Sequence, residues 1–303
     1  CIRDRYSFDK DSSKLAVSKA TKLLDYKNDF SMEEIQEKAQ NIVLTYLDTT
    51  KTYKLKTGLF KIEDSLSLND DDFEDDRSEF KTSYLNNETR AYLRQTQFHE
   101  NSFLNKILDP DLYNYTFEDL SFNNDELTYI INFTPRKSKA KYSGTLLITD
   151  TNYAIARVDY NYYKNRHGEK VNLKLVLGVK YIENISHGTF IFQKGSNTKY
   201  YPKYTKQTEG SYFYVNRDLK FIENSKAKNK IGFSFKLEGD NRRKQELLFT
   251  ATKNITLDTF SSVKQDSIIS FEQLERFEKT IWENEETLEP LEEMKGFGDG
   301  EWF

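Results

Sequence analysis

Three successive runs of alternating residues between Leu127 and Tyr162 constrain the fold more than any other feature of the sequence. Apolar side chains recur at every second position within each run, as in Ala156, Val158 and Tyr160, and polar residues stand between them. A period of two is typical of strands with one buried face and one face in water. The turns between the runs are short, which favours antiparallel pairing of neighbouring strands. The stretch therefore predicts the core of a meandering antiparallel sheet.

Similar patterns continue on both sides of this core. A first strand is predicted near 52–68 and a long strand over 171–181. Later strands are predicted over 186–194, 198–208, 211–222, 230–239 and 245–256. Pairs that contain glycine, such as Glu209–Gly210, are interpreted as turns between them or as strand irregularities. Because consecutive antiparallel strands twist and curl, we predict a curved sheet or an incomplete β-barrel.

Helical spacing frames the β region. Ser31 and Glu34 form a capping box ahead of apolar residues spaced three and four apart, which predicts a helix over 31–47. A second helical region is predicted over 98–108, and a C-terminal helix begins near Ser270. The fold class is therefore mainly β with α, and we expect the helices to pack on the concave face of the sheet.

The predicted organisation is an extension, one domain and a tail. Residues 1–30 form a polar N-terminal extension. Residues 31–257 form a single β-rich domain, whose meandering sheet occupies 127–257. Residues 258–303 hold the C-terminal helix and an acidic, aromatic tail. A chain of 303 residues accommodates one large β domain, and only 4 Pro and 12 Gly argue against long disordered linkers.

Charge and cysteine content exclude several classes of protein. With 45 basic and 49 acidic residues the net charge is −4, which is no footprint for nucleic acid. No apolar run is long enough to predict a transmembrane segment. The one cysteine, Cys1, excludes a disulfide within the chain. Two interpretations of Cys1 stay open: a mature bacterial lipoprotein that contacts the membrane through a lipid on Cys1, or a fragment with a chance cysteine.

No residue pattern predicts a reaction. His99, His167 and His187 lack the spacing of a zinc site, and the sequence has neither a nucleophile elbow nor a phosphate-binding glycine loop. The acidic run 68–76 lacks the central glycine of a calcium loop, so we interpret it as a solvated loop. Tyrosines over 200–214 are interpreted as strand residues rather than a stacking platform. We therefore predict no catalytic residue, no cofactor and no metal ion.

The central stretch also carries a family resemblance. A Tyr-rich strand ending in Thr134–Pro135 is followed by basic residues, then by TyrSerGlyThrLeuLeuIleThrAsp at 142–150 and AlaIleAlaArgValAsp at 154–159. This pattern resembles lipoprotein carriers of the LolA/LolB type, in which an incomplete antiparallel barrel wraps round helices. It also resembles a group of Bacteroidota cell-envelope proteins of unassigned function that often carry a carboxypeptidase-like regulatory domain. The resemblance covers residues 35–295, and no site residues transfer with it.

The resemblance implies a protein of the bacterial cell envelope, on the periplasmic face of the outer membrane or on the cell surface. Our leading hypothesis is a non-enzymatic protein that binds an apolar ligand, a lipid or lipoprotein, in a LolA-like half-barrel. The candidate lining residues are Tyr129, Ile131, Phe133, Leu146, Val158, Leu173, Leu175, Phe233 and Phe235. The alternative is a scaffold or accessory subunit of an outer-membrane β-barrel protein complex, which would use the acidic segment 283–293 and the aromatic tail 296–303 as contacts.

Overall fold

The structure is a computed structural model that describes most of the chain. The described residues are 2–7, 12–23, 41–42, 45–48, 50–57, 60–67, 81–100, 102–123, 126–250, 253–274, 276–278 and 292–295. Cys1, the acidic run 68–76 and the tail 296–303 lie outside them, as does most of the segment 283–293. The expectations about these parts stay predictions.

Fourteen strands are described, and ten of them form one antiparallel sheet. In chain order the strands are β1 (Ile2–Ser7), β2 (Ser13–Val17), β3 (Thr21–Leu23), β4 (Thr52–Thr57), β5 (Phe60–Ser67), β6 (Tyr113–Asn123), β7 (Glu126–Pro135), β8 (Tyr142–Thr149), β9 (Ile155–Tyr162), β10 (Lys170–Leu173), β11 (Val179–Lys194), β12 (Tyr200–Glu223), β13 (Lys230–Leu248) and β14 (Glu272–Leu274). The large sheet has the order β5-β4-β12-β11-β9-β8-β7-β6, with β10 beside β11 and β13 beside β12. It is curved and does not close, so the prediction of a mainly β, curved antiparallel sheet is confirmed.

The described helices are few and short. They are α1 (Thr82–Gln95), α2 (Phe103–Ile107), α3 (Lys174–Leu177), α4 (Leu257–Ser262) and α5 (Glu292–Lys295). Residues 41–42 and 45–46 are also helical and are the described part of the helix predicted over 31–47. The helix predicted over 98–108 is the shorter α2, because Ser102 caps it: the Asn105 N–H donates a hydrogen bond to Ser102 Oγ at 3.1 Å.

Of the two interpretations of the glycines within β12 and β13, the turn is wrong, whereas the register between β11 and β12 does shift beside Gly210. Both strands run on, over 24 and 19 residues, and the glycines at the expected breaks lie inside the ladder. A Cβ at Gly239 would lie 3.0 Å from the ring of Phe213, and one at Gly210 would lie 3.0 Å from the side chain of Ile185. These glycines therefore make room for neighbouring side chains instead of turning the chain.

The single strand predicted over 171–181 is also wrong. The helical turn α3 interrupts it, and β10 folds back beside β11. Gly178 ends this turn in the left-handed conformation, with φ 63°, and the Asn216 N–H donates a hydrogen bond to its carbonyl at 2.7 Å. A Cβ at Gly178 would lie 1.9 Å from the carbonyl oxygen of Asn216. Backbone conformation and close approach both require glycine here.

The two terminal parts of the described chain are joined to each other. Strands β1 and β2 form a hairpin, and β3 pairs in parallel with β14, so the C-terminal helix predicted from Ser270 is wrong at 272–274. The ammonium group of Lys14 donates hydrogen bonds to the carbonyl oxygens of Phe260 at 3.0 Å and Val263 at 2.7 Å. The Leu15 N–H donates to Gln265 Oε1 at 2.8 Å.

Two separate clusters of buried side chains lie against the large sheet. The first joins α1 and α2 to the central strands and consists of Tyr92, Leu104, Ile107, Tyr113, Phe133, Ala140, Leu146, Val158, Tyr160, Phe190 and Phe192. The second lies where β4 and the N-terminal half of β13 pair with β12. It consists of Leu47, Tyr53 and Phe221. Helical side chains therefore fill the first cluster together with strand side chains, which leaves Phe133, Phe190 and Leu104 fully buried.

Candidate functional site

Strand β6 lies at one edge of the large sheet. It pairs with β7, and no other described strand pairs with it. Residues 114–120 are exposed along both of its faces. Its outer edge consequently has no described strand beside it in the meander β6–β9.

A β-bulge keeps the apolar side chains of β6 on one face. The bulge lies between Phe117 and Asp119, where the register against β7 shifts. Before it, Phe117 is paired with Ile131; after it, Leu120 is paired with Tyr129. Paired residues point to the same face of a sheet, and alternate residues of β7 share one face. The apolar residues at odd positions before the bulge and at even positions after it therefore lie on the same face of the sheet.

We call this surface the aromatic face and define it as Tyr115, Phe117, Leu120, Phe122 and Tyr129. Phe117 is 59% exposed, Leu120 48% and Phe122 75%. The rings of Phe117 and Tyr129 meet edge to face, with centroids 6.4 Å apart. Single exposed apolar residues are ordinary, but a contiguous group of large ones marks an interaction site.

The aromatic face continues the buried side of the sheet. Tyr115 is paired with Phe133, which is fully buried in the first cluster. The Tyr115 hydroxyl donates a hydrogen bond to the Ile107 carbonyl at 2.8 Å, at the last residue of α2. Phe117 and the residues after it lie beyond that contact and stay exposed. Side chains of α1 and α2 therefore cluster with Phe133 on this sheet face, whereas Phe117, Leu120 and Phe122 are exposed.

The chain segment that carries the aromatic face is rich in acidic residues. The segment 107–135 contains no Lys or Arg, and its six acids are Asp109, Asp111, Glu118, Asp119, Asp125 and Glu126. Glu118 lies on the opposite side of β6, where its Oε2 accepts a hydrogen bond from Asn132 Nδ2 at 2.7 Å. Asp119 is paired with Ile130 and shares that side. The edge strand is therefore apolar on one face and acidic on the other.

Hydroxyl groups hold the hairpin tip. The Tyr129 hydroxyl donates to Asp150, and Glu126 accepts hydrogen bonds from Thr151 and from the Tyr200 hydroxyl, the latter at 2.7 Å. These bonds lower the pKa of Glu126, and the bond to Asp150 raises the pKa of Tyr129. The carboxylate is thus held charged and the phenol neutral at physiological pH, so neither is prepared for proton transfer.

A row of tyrosines lies deeper in the first cluster. Tyr142 stacks on Tyr162 with centroids 5.1 Å apart, and Tyr160 packs beside them over Gly188. Burial raises the pKa of Tyr160 and of Tyr162. Gln207 Nε2 donates to Glu209 at 2.6 Å on the neighbouring strand. This arrangement packs and orders the interior, and it joins no nucleophile to a base.

The histidines do not assemble into a site. His99 Nδ1 and His167 Nδ1 each lie near a backbone carbonyl oxygen of the following residue, at 2.9 and 3.0 Å. Desolvation, followed by Lys206 and Arg242, lowers the pKa of His187. Within the described parts of the chain, no three His, Cys, Asp or Glu residues come together as metal ligands would.

The structure distributes the candidate lining residues over four places. Phe133, Leu146 and Val158 are buried in the first cluster, and Ile131 packs against it. Phe233 and Phe235 pack against the second cluster instead. Leu173 precedes the helical turn α3 and Leu175 lies within it, and both are exposed, so they do not line one surface with the other candidates. Tyr129 alone of the nine belongs to the aromatic face.

Sequence reasoning did not single out Phe117, Leu120 or Phe122. The signal was present in the segment 113–122, where alternating aromatic residues change parity once. A change of parity inside an otherwise regular strand pattern is what a bulge produces. Exposure, in contrast, depends on where α2 ends, which the pattern does not contain.

Comparisons with known proteins return nothing. No protein-family model, curated protein or solved structure matches the chain. Among the helices that the structure describes, none has the length and hydropathy needed to cross a membrane.

Proposed function

We propose that the protein is a non-enzymatic cell-envelope protein of bacteria that binds an apolar ligand on the aromatic face, at the open end of a LolA-like incomplete barrel. The observation that carries the proposal is the exposure of Phe117, Leu120 and Phe122 on the same sheet face that the helices cover elsewhere. Covering apolar surface is worth about 25 cal/mol per Å², so a ligand that shields these side chains binds favourably.

The packed interior favours this surface over a ligand chamber between helices and sheet. Phe103 of α2 contacts the rings of Tyr142, Tyr160 and Phe190, with centroids 5.1, 4.5 and 6.0 Å apart. Leu104 from the same helix has no exposed surface. A ligand in that space would have to displace α2, whereas the aromatic face accepts one without rearrangement.

Binding of a neutral apolar fluorophore, 1-N-phenylnaphthylamine, tests the proposal. We expect saturable fluorescence enhancement with the wild-type chain and a loss of at least tenfold in affinity for the Phe117→Ser/Phe122→Ser variant. Leu175→Ser is the matched control, because Leu175 is the most exposed leucine described and lies beside α3. Equal binding by the wild type and the double variant would remove the aromatic face as the ligand site.

A second candidate function is an accessory subunit of an outer-membrane protein complex. The observation that favours it is the outer backbone edge of β6 beside the aromatic face, with which no other described strand pairs. The test is purification from native membranes, comparing the wild type with Phe122→Ser. A partner that co-purifies at fixed stoichiometry and is lost from the variant supports this function; a partner retained by both counts against it.

A further inference from the structure

We propose that the ligand of the aromatic face is an extended segment of a partner protein, which adds to the sheet as a strand beside β6 and alternates basic with apolar residues. This inference rests on the proposed function because it uses the same surface. It goes further in naming the class of ligand and the way in which the ligand binds.

The backbone of β6 provides the first half of the argument. A strand at the edge of a sheet presents unpaired N–H and C=O groups to any extended chain that comes alongside. Natural edges are protected by charged residues, proline, bulges or covering loops; β6 contains neither Lys nor Pro, and its bulge places its two charged residues, Glu118 and Asp119, on the face opposite the aromatic face. Residues 114–120 are exposed, so no described loop covers this edge.

The two faces of β6 provide the second half. Side chains of an added strand alternate between the faces and lie beside the side chains of β6. On one face they meet Phe117, Leu120 and Phe122, which favours apolar residues. On the other face they meet Glu118 and Asp119, the two bulge residues. Opposite charges stabilise such cross-strand pairs and like charges destabilise them, so basic residues are favoured there.

The charge of the surrounding chain acts in the same direction. Six acids without a Lys or Arg over 107–135 attract a basic segment before contact is made. The Lys194 ammonium lies 3.9 Å from Glu126 at the hairpin tip, and Arg136 donates a hydrogen bond to the Pro110 carbonyl oxygen at 3.3 Å, so these two cations lie at the two ends of the segment. An anionic lipid surface is disfavoured for the same reason.

Two other pairings are less favourable. A second copy joined through β6 would bring acidic residues of both copies together along the new ladder. The outer edge of β13 carries exposed charged residues of both signs, among them Lys236, Glu238 and Arg242. β13 also has apolar residues on one face, but Phe233 and Phe235 of that face pack against the second cluster. The charged residues of β13 have both signs and favour no single class of partner, whereas those of β6 are both acidic.

Three synthetic twelve-residue peptides test the inference. All have the same apolar residues at alternate positions, and the positions between are all Lys, all Glu or all Gln. We expect fluorescence anisotropy to show the Lys peptide binding at least tenfold more tightly than the Gln peptide at low salt, with the Glu peptide weakest. The difference should shrink strongly at about 1 M salt, where the Debye length is about 3 Å.

Charge-reversal variants sharpen the test. Glu118→Lys/Asp119→Lys should reverse the order of the Lys and Glu peptides. Glu169→Lys/Asp240→Lys makes the same change in net charge at exposed positions before β10 and in β13, and it should leave the order unchanged. Hydrogen exchange followed by mass spectrometry should show slower exchange of β6 amides when the Lys peptide is bound, because strand addition protects them.

The outcomes separate this inference from the proposed function. If the Lys and Gln peptides bind equally and both are lost in Phe117→Ser/Phe122→Ser, the aromatic face binds apolar ligands but the basic class is wrong. Peptide binding without protection of β6 amides overturns strand addition. If neither peptides nor 1-N-phenylnaphthylamine bind, both proposals fail. Dimerisation lost in that double variant, without peptide binding, would assign the face to a second copy and overturn the inference.

Discussion

Replacing Phe103 with alanine should weaken the packing of α2 on the sheet and lower the free energy of unfolding. This side chain is the principal aromatic contact between the helix and the central strands. Its ring centroid lies 5.1 Å from that of Tyr142, 4.5 Å from Tyr160 and 6.0 Å from Phe190. Truncation removes all three ring contacts and leaves a space that the fully buried Leu104 cannot fill without moving the helix.

The expected loss follows from burial and ring geometry. Removing a buried phenylalanine costs about 3–5 kcal/mol. Phe103 retains some exposed surface, so we expect the lower end, about 3 kcal/mol of the free energy of unfolding. Aromatic pairs contribute about 0.5–1.5 kcal/mol beyond area burial. A double-mutant cycle of Phe103→Ala with Tyr160→Leu should therefore give a coupling energy of about 1 kcal/mol.

Urea unfolding followed by circular dichroism measures both quantities. The midpoint should fall in Phe103→Ala while the slope of the transition is unchanged. Tyr84→Ala is the matched control, because Tyr84 is an exposed aromatic residue of α1, and it should change stability by less than about 0.5 kcal/mol. A loss below about 1 kcal/mol for Phe103→Ala, or strictly additive single changes, would refute the docking of α2 on these rings.

Two further predictions concern the sheet itself. Gly144→Ala should destabilise the protein by at least about 1–3 kcal/mol, because the new Cβ would lie 1.9 Å from the Asp159 carbonyl oxygen. Gly232→Ala is the control: its Cβ meets nothing nearer than 3.9 Å, so it should be close to neutral in the same urea assay. Glu223→Gln should lower stability at neutral pH, because hydrogen bonds from Lys51 and Asn229 lower the pKa of Glu223 in the folded state. A lowered folded pKa gives stability above the unfolded value of 4.5 that is lost as the pH falls, so thermal unfolding of wild type and variant should converge in acid, and a constant difference at every pH would contradict the assignment.

The strands of the meander were predictable because each run of alternating apolar and polar residues covers the same residues as one hydrogen-bonded strand. Strands β7, β8 and β9 correspond to the three alternating runs of 127–162. Each has a buried residue at its centre or end, such as Phe133, Leu146 and Val158, which gives the pattern its contrast. A strand with one covered face has apolar residues at every second position, and this alternation is visible in the sequence.

In the regions where the prediction was wrong, the side-chain period does not coincide with a hydrogen-bond ladder. Leu173 and Leu175 continue the alternation of a buried strand, yet the left-handed Gly178 turns the chain and leaves both exposed. Gly210 and Gly239 look like turn residues, although each serves a neighbouring side chain inside a ladder. A side-chain pattern describes one chain segment at a time. The exposure of these leucines and the role of these glycines depend on a second segment that packs against the first.

The aromatic face could be predicted only in part. Its change of parity between Phe117 and Leu120 is visible in the sequence and indicates a bulge. The acids Glu118 and Asp119 at the same point become informative only when their side of the strand is known, which needs the pairing with Asn132 and Ile130. Exposure of the face depends on the end of α2 and was not in the pattern.

The joined chain ends have a consequence for synthesis. The hairpin of β1 and β2 is synthesised long before its partners, because its contacts, such as the bond between Leu15 and Gln265, span 250 positions. Those contacts cannot form until the segment that carries Gln265 has been translated, and closing so large a loop slows folding. The first strands are therefore completed late in folding, and strand edges that wait for a distant partner are prone to aggregation.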